Sequence, residues 1–211
     1  MTQTTTLPGT GTGLASARVC GIDVLSRTLR EADAVAHAVV QELRGLGARN
    51  VVVATHVAVS CDLPHHTVTV SASGVTVTET RSVLSVVGDQ FDVVALIIDG
   101  SFSGPPELYD GLGRAVSAHT RRGEGRVVVF PGDHRLIGTV AVADVIANTD
   151  VDRVRVITGT DADPATPLVT RDFVRPLWED GLLVLHAQPA IGGSLVPFET
   201  PFPTPCCANH S

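Results

Sequence analysis

Lysine is absent from this chain: all 15 of its basic residues are arginine. That excludes every mechanism that needs a lysine amine. No Schiff base can form on the protein, so lysine-linked pyridoxal phosphate enzymes and imine-forming aldolases are out. No phosphate-loop lysine exists, so Walker-type nucleotide hydrolases are out. Aromatic residues make up only 4% of the chain, so valine, leucine, isoleucine and alanine must fill its core. Valine richness favours buried strands. Positive charge is sparse: the net charge is −7 and the longest basic cluster is Arg121-Arg122. Duplex and anionic-membrane binding both draw on a basic face, so neither nucleic acid nor membrane is expected as a partner. No run approaches the roughly 18 apolar residues of a membrane span. The opening Met1-Thr2-Gln3-Thr4-Thr5-Thr6 lacks the basic and apolar regions of a signal peptide. Four cysteines are too few for a disulfide scaffold. The expected location is cytoplasmic, with reduced thiols.

What is present is a 44% apolar chain of 211 residues, long enough for one good-sized core. Residues 1–16 are rich in threonine and glycine and read as a flexible segment. A short strand is expected over 17–25. Thr28 with Glu31 three residues on reads as a capping box, and Leu29, Ala32, Val35, Ala36, Val39, Val40, Leu43 and Leu46 follow at helical spacing. Gly47 suits the residue after that helix. A strand follows from Val51. The alternation of Thr67–Val70 and Val75–Thr78 around Ser71-Ala72-Ser73-Gly74 predicts a β-hairpin over 67–80. From residue 91 strands at 93–98, 126–130 and 153–158 alternate with helices at 106–122 and 135–148. Val140, Val142 and Asp144 in the last of these also fit a strand. A final strand is expected at 182–186. From Gln188 to Ser211 five prolines rule out a helix or central strand and predict an extended tail. The expected fold is therefore α/β, with one domain over 17–187. Its mixed, mainly parallel sheet would carry helices on both faces and a β-hairpin at one edge.

In open parallel sheets, ligands bind beyond the carboxyl ends of the strands. The loops Asp99–Gly104, Pro131–His134 and Thr158–Asp161 would line one such edge. Asp99, Ser101, Asp133 and His134 are the catalytic candidates, with His134 as acid or base beside Asp133. The apolar strand ending in Asp99-x-Ser101-x-Ser103 resembles the metal-ion-dependent adhesion motif of von Willebrand factor A domains, which implies a hard ion such as Mg²⁺. Asp99-Gly100 followed by Glu107–Gly111 resembles nucleoside 2-deoxyribosyltransferases, which implies a carboxylate attacking an anomeric carbon. Thr170-Arg171-Asp172 with Arg175 reads as a surface ion-pair patch or as an anion site.

The tail ends in Cys206-Cys207-Ala208-Asn209-His210, and Cys61-Asp62-Leu63-Pro64-His65-His66 precedes the expected hairpin. Thiolate and imidazole suit zinc, copper or iron better than Mg²⁺. The candidate metal ligands are Cys206, Cys207, His210, Cys61, His65 and His66. The adjacent terminal cysteines resemble the tail of mercuric reductases, which implies hand-over of a soft metal. The expected function is thus a small metal-binding protein, with a metal-dependent enzyme as its catalytic form. One alternative is a metal-free enzyme acting on a small-molecule substrate in the strand-end cleft. Another is a noncatalytic module or homo-oligomer subunit docking through the proline-rich tail.

Overall fold

The computed structural model describes residues 18–58, 64–92 and 94–201. Strand β1 (Val19–Ser26) leads into α1 (Leu29–Gly45), which starts where the motif places it. The Glu31 amide donates to Thr28 Oγ1 at 3.2 Å, and the Arg27 and Thr28 amides donate to Glu31 Oε2. At the other end the Ala48 amide bonds to the Leu43 carbonyl and the Gly47 amide to that of Arg44. This is the Schellman closure, with Gly47 at φ +81° in the left-handed position. The expected stripe from Ala32 to Leu43 is buried, while Leu29 and Leu46 at its ends are exposed.

Strands β2 (Arg49–Ala58) and β3 (His65–Ser73) pair antiparallel. The predicted hairpin over 67–80 is overturned in its second half. Residues there form α2 (Val77–Phe91), opened by a second capping box between Thr76 and Glu79. Four alternating residues could not outweigh a capped helix whose Val83, Leu84 and Val87 share one buried face. Strand β4 (Ala95–Ile98) follows.

These elements order the sheet as β4-β1-β3-β2, antiparallel throughout. That is the split β-α-β, ferredoxin-like arrangement. It corrects the expectation of a mainly parallel sheet. α1 and α2 each link two strands of the same direction. However, β3 inserts between β1 and β2, and β1 between β3 and β4, so strands joined by a helix are not neighbours. Rhythm leaves adjacency open.

Beyond β4 the sheet continues. Strand β5 (Ser101–Ser103) pairs with β4, and β6 (Arg126–Val129) pairs with β2. Between them, a single 3₁₀ turn and α3 (Tyr109–Arg121) occupy the stretch predicted as one helix. The predicted helix over 135–148 is shorter: β7 (Thr139–Ala141) and α4 (Val142–Asn148) divide it. Then come β8 (Arg153–Val156), β9 (Pro167–Val169), β10 (Leu177–Glu179), β11 (Leu182–Pro189) and β12 (Leu195–Pro197). Among the described residues, only β8–β11 and β12–β9 pair in parallel, and the strands form one mixed twelve-stranded sheet with helices.

Alternate residues of a strand point to opposite sides. Ile22, Val68 and Val70 join the apolar cluster built on α1 and α2. Gly21, on the alternate side, lies under α3: a Cβ added there would sit 2.8 Å from both Leu112 Cδ1 and Val116 Cγ2. A second cluster gathers Phe130, Val145, Leu168, Trp178 and Leu185 in the C-terminal half. Among the described residues, no helix is long and apolar enough to cross a membrane.

Candidate functional site

The four strand-end candidates do not converge. Asp99 (φ +52°) and Gly100 (φ +78°) form the two-residue turn of the β4–β5 hairpin, closed by the Ile98–Ser101 pair. Asp-Gly with both residues at positive φ is a type I′ connection, so Ser101 and Ser103 lie on a strand and not in a ligand loop. Asp133 and His134 lie in a 3₁₀ turn after β6. There Asp133 Oδ1 accepts from the His134 amide, and the His134 ring is exposed, 3.7 Å from that carboxylate. The sheet order puts β1, β3 and β2 between β4 and β6. Four interstrand steps of about 4.8 Å separate the two loops by on the order of 19 Å. The strands end on one edge as expected, but antiparallel partners hold their ends apart.

Asp99 instead borders a cavity of about 360 Å³ whose lining includes Arg18, Cys20, Leu43, Val70 and Thr76. It lies where the C-terminal turn of α1 meets the start of α2 over β1 and β3. Arg18 Nη1 donates to Asp99 Oδ1 at 2.6 Å at the cavity rim. The Cys20 thiol is pushed up by burial, with the nearby Asp99 carboxylate adding to the effect against a lowering backbone hydrogen bond. Cys20 is therefore a neutral thiol at neutral pH, not a thiolate nucleophile.

The neighbouring histidines His65 and His66 part company, because successive strand residues face opposite sides. His65 is buried and donates from Nε2 to Asp23 Oδ2 at 2.8 Å, leaving Nδ1 without a partner among the described residues. His66 is half-buried, and burial, reinforced by the Arg126 charge, pulls its pKa below the ordinary value. One tetrahedral site therefore cannot use both rings in this arrangement. Cys61, Cys206, Cys207 and His210 lie outside the described residues. Among the described residues, no three His, Cys, Asp or Glu side chains lie close enough together to hold a metal ion.

Beside His65 runs a buried polar strip that the sequence reading missed. His56 Nε2 and His119 Nδ1 each lie 2.8 Å from Thr69 Oγ1, and Ser71 Oγ lies 2.9 Å from His119 Nε2. One assignment satisfies these contacts: both rings donate to Thr69 Oγ1, and Ser71 donates to His119. Burial lowers the His56 pKa to about 4 and that of His119, against Trp178, to about 3. His119 is thus a neutral interior group and not the helix-end cation that its position suggests.

The richest charged centre sits on the α1 side of the sheet. Arg126 of β6 donates to Asp33 of α1 (2.6 and 3.1 Å) and to Glu199 (2.6 to 2.9 Å). Arg175 also donates to Asp33, at 3.2 and 3.3 Å, and stacks over Phe173. Burial alone would raise the Asp33 carboxyl, but the two guanidinium groups hold it below its ordinary value. Arg175 was legible as an anion-site candidate. Arg126 looked like the first residue of an ordinary strand, and Glu199 lay in the presumed tail. No protein-family model, curated protein or solved structure matches the chain.

Proposed function

We propose that this chain is a cytoplasmic small-molecule-binding protein and that its ligand enters the cavity beside Asp99. The observation that carries the reading is the make-up of that cavity. Leu43, Val70 and Val77 give it apolar walls, while Arg18 and Asp99 place opposite charges at its rim. Ligand pockets commonly have this composition and a volume of about 300–1,000 Å³. A compact molecule with an apolar body and a polar head fits it. The reading takes α1 and α2 on one face of the sheet and α3 on the other, so the cavity opens on the two-helix side. The buried free thiol of Cys20 accords with a reducing compartment.

The test is a fragment screen by ligand-observed NMR on the full chain. Thr80, half-buried on α2, lines the cavity, so Thr80→Trp should fill it. Hits on the native chain should vanish in Thr80→Trp and weaken in Asp99→Asn. Hits that persist unchanged in both variants overturn the proposal.

A second reading, metal binding by Cys206, Cys207 and His210 with His66, draws support from one contact. Arg126 grips Glu199, and the same guanidinium influences His66. Cys206 is five residues beyond Pro201, a reach of at most about 17 Å. A neutral imidazole suits a zinc, copper or iron ligand. Elemental analysis of untagged protein should find close to one equivalent of such a metal, lost on truncation after residue 200. Metal-free protein sinks this reading.

A further inference from the structure

Two carboxylates occupy the Arg126 guanidinium in different ways. Asp33 takes its end, Nη1 and Nη2, and is shared with Arg175. Glu199 takes its side, Nε and Nη2, in the two-pronged geometry by which arginine recognises carboxylates. The two acids also differ in setting. The Asp33 side chain is 14% exposed and fixed on a helix, whereas Glu199 is 31% exposed and follows the last described strand. Among the described residues, every hydrogen bond to the Glu199 carboxylate comes from Arg126.

Without Glu199, the buried Arg126 and the partly buried Arg175 would face a single aspartate. An uncompensated buried charge is costly and attracts any anion that can replace the lost partner. We propose that Arg126 and Arg175 form a binding site for the carboxylate of a small organic acid, and that Glu199 fills it from within as a displaceable latch. Arg126 supplies the two-pronged contact and Arg175 the second positive charge. Asp33 fixes both guanidinium groups in register with α1. The site is distinct from the Asp99 cavity: Asp33 and Leu43 are ten residues apart on α1, about 15 Å along its axis.

A tethered carboxylate competes at millimolar effective concentration. The native chain should therefore bind a free acid at least about tenfold more weakly than a chain lacking the latch. The test titrates sodium malonate into native protein and Glu199→Ala, with sodium chloride at matched ionic strength as control, following Tm and the arginine Nε–H resonances. Glu199→Ala should show a saturable rise in Tm with malonate and a shift of the Arg126 resonance. The native chain should need at least about tenfold more malonate. Arg175→Gln added to Glu199→Ala should weaken the response again. If Glu199→Ala does not fold, Glu199→Gln, which keeps one acceptor oxygen, must still respond at lower malonate than the native chain. A response equal to native, one reproduced by chloride, or one indifferent to Arg175→Gln overturns the proposal.

Discussion

His65 Nε2 lies 2.8 Å from Asp23 Oδ2, with both side chains only 1% exposed. The second Asp23 oxygen accepts from the Leu25 amide, whose residue holds φ +55°. The pair thus joins the start of β3 to an irregular stretch of β1, where the register with β3 shifts. Removing either partner leaves a buried polar group unsatisfied, at about 1–3 kcal/mol. Asp23→Ala and His65→Ala should each destabilise by at least that much in urea denaturation at pH 7. Their double-mutant cycle should return a coupling of about 0.5–3 kcal/mol. Strict additivity would show that the contact contributes nothing beyond packing.

The imidazoles of the buried strip make stability depend on pH, and the sign follows from their lowered pKa values. Above about pH 7, both folded and unfolded chains hold neutral rings. Below 6.5, the ordinary histidine value, the unfolded chain takes up protons that the folded chain refuses. Stability then falls with pH until His56 titrates near 4 and His119 near 3. Each ring contributes a slope of about 1.4 kcal/mol per pH unit across its window. Denaturation midpoints measured from pH 7 to pH 5 should fall steeply. His119→Gln should be less stable at pH 7 yet show a shallower decline, since one titrating ring has gone. Equal slopes in variant and native chain would rule out this role for His119.

Two capping boxes of the same form, Thr28/Glu31 and Thr76/Glu79, start α1 and α2. The Glu79 amide donates to Thr76 Oγ1 at 3.2 Å, and the Thr76 amide to Glu79 Oε2 at 2.7 Å. Thr76→Ala should cost about 1 kcal/mol, because it strands a helix-terminal donor. Thermal unfolding will report the cost, and Thr76→Ser should recover most of it. A loss that serine does not recover would assign the effect to the threonine methyl.

These two motifs also mark how far the sequence could be read. The first was legible because a long apolar stripe follows it. The second lay behind Val75-Thr76-Val77-Thr78, where a short alternation mimics a strand. Local features such as the α1 caps and the valine strands are written within a few residues. Strand adjacency is not, because it depends on which strand inserts between two others. The charged centre is the extreme case. Arg126 meets Asp33 across 93 positions and Glu199 across 73, and Asp33 reads locally as one more polar residue on a helix. Asp99-Gly100 was legible in principle as a hairpin turn. Its two serines drew attention toward a metal motif instead.

Gly21 carries the last prediction. It lies on β1 where α3 crosses, and a methyl group there would meet Leu112 and Val116 at 2.8 Å, closer than carbon atoms approach without displacement. Both obstructing atoms are side-chain ends, so the helix can yield by rotamer change or by a small shift. Gly21→Ala should therefore destabilise by about 1–3 kcal/mol without abolishing the fold. Its effect should spread to the polar strip, because His119 rides on the same helix two turns from Leu112. The decisive measurement is the cost of Gly21→Ala in a Val116→Ala background. If close packing of α3 on β1 is the cause, trimming Val116 makes room and the cost falls. If the cost is unchanged, the penalty comes from the backbone of β1 and the packing explanation fails.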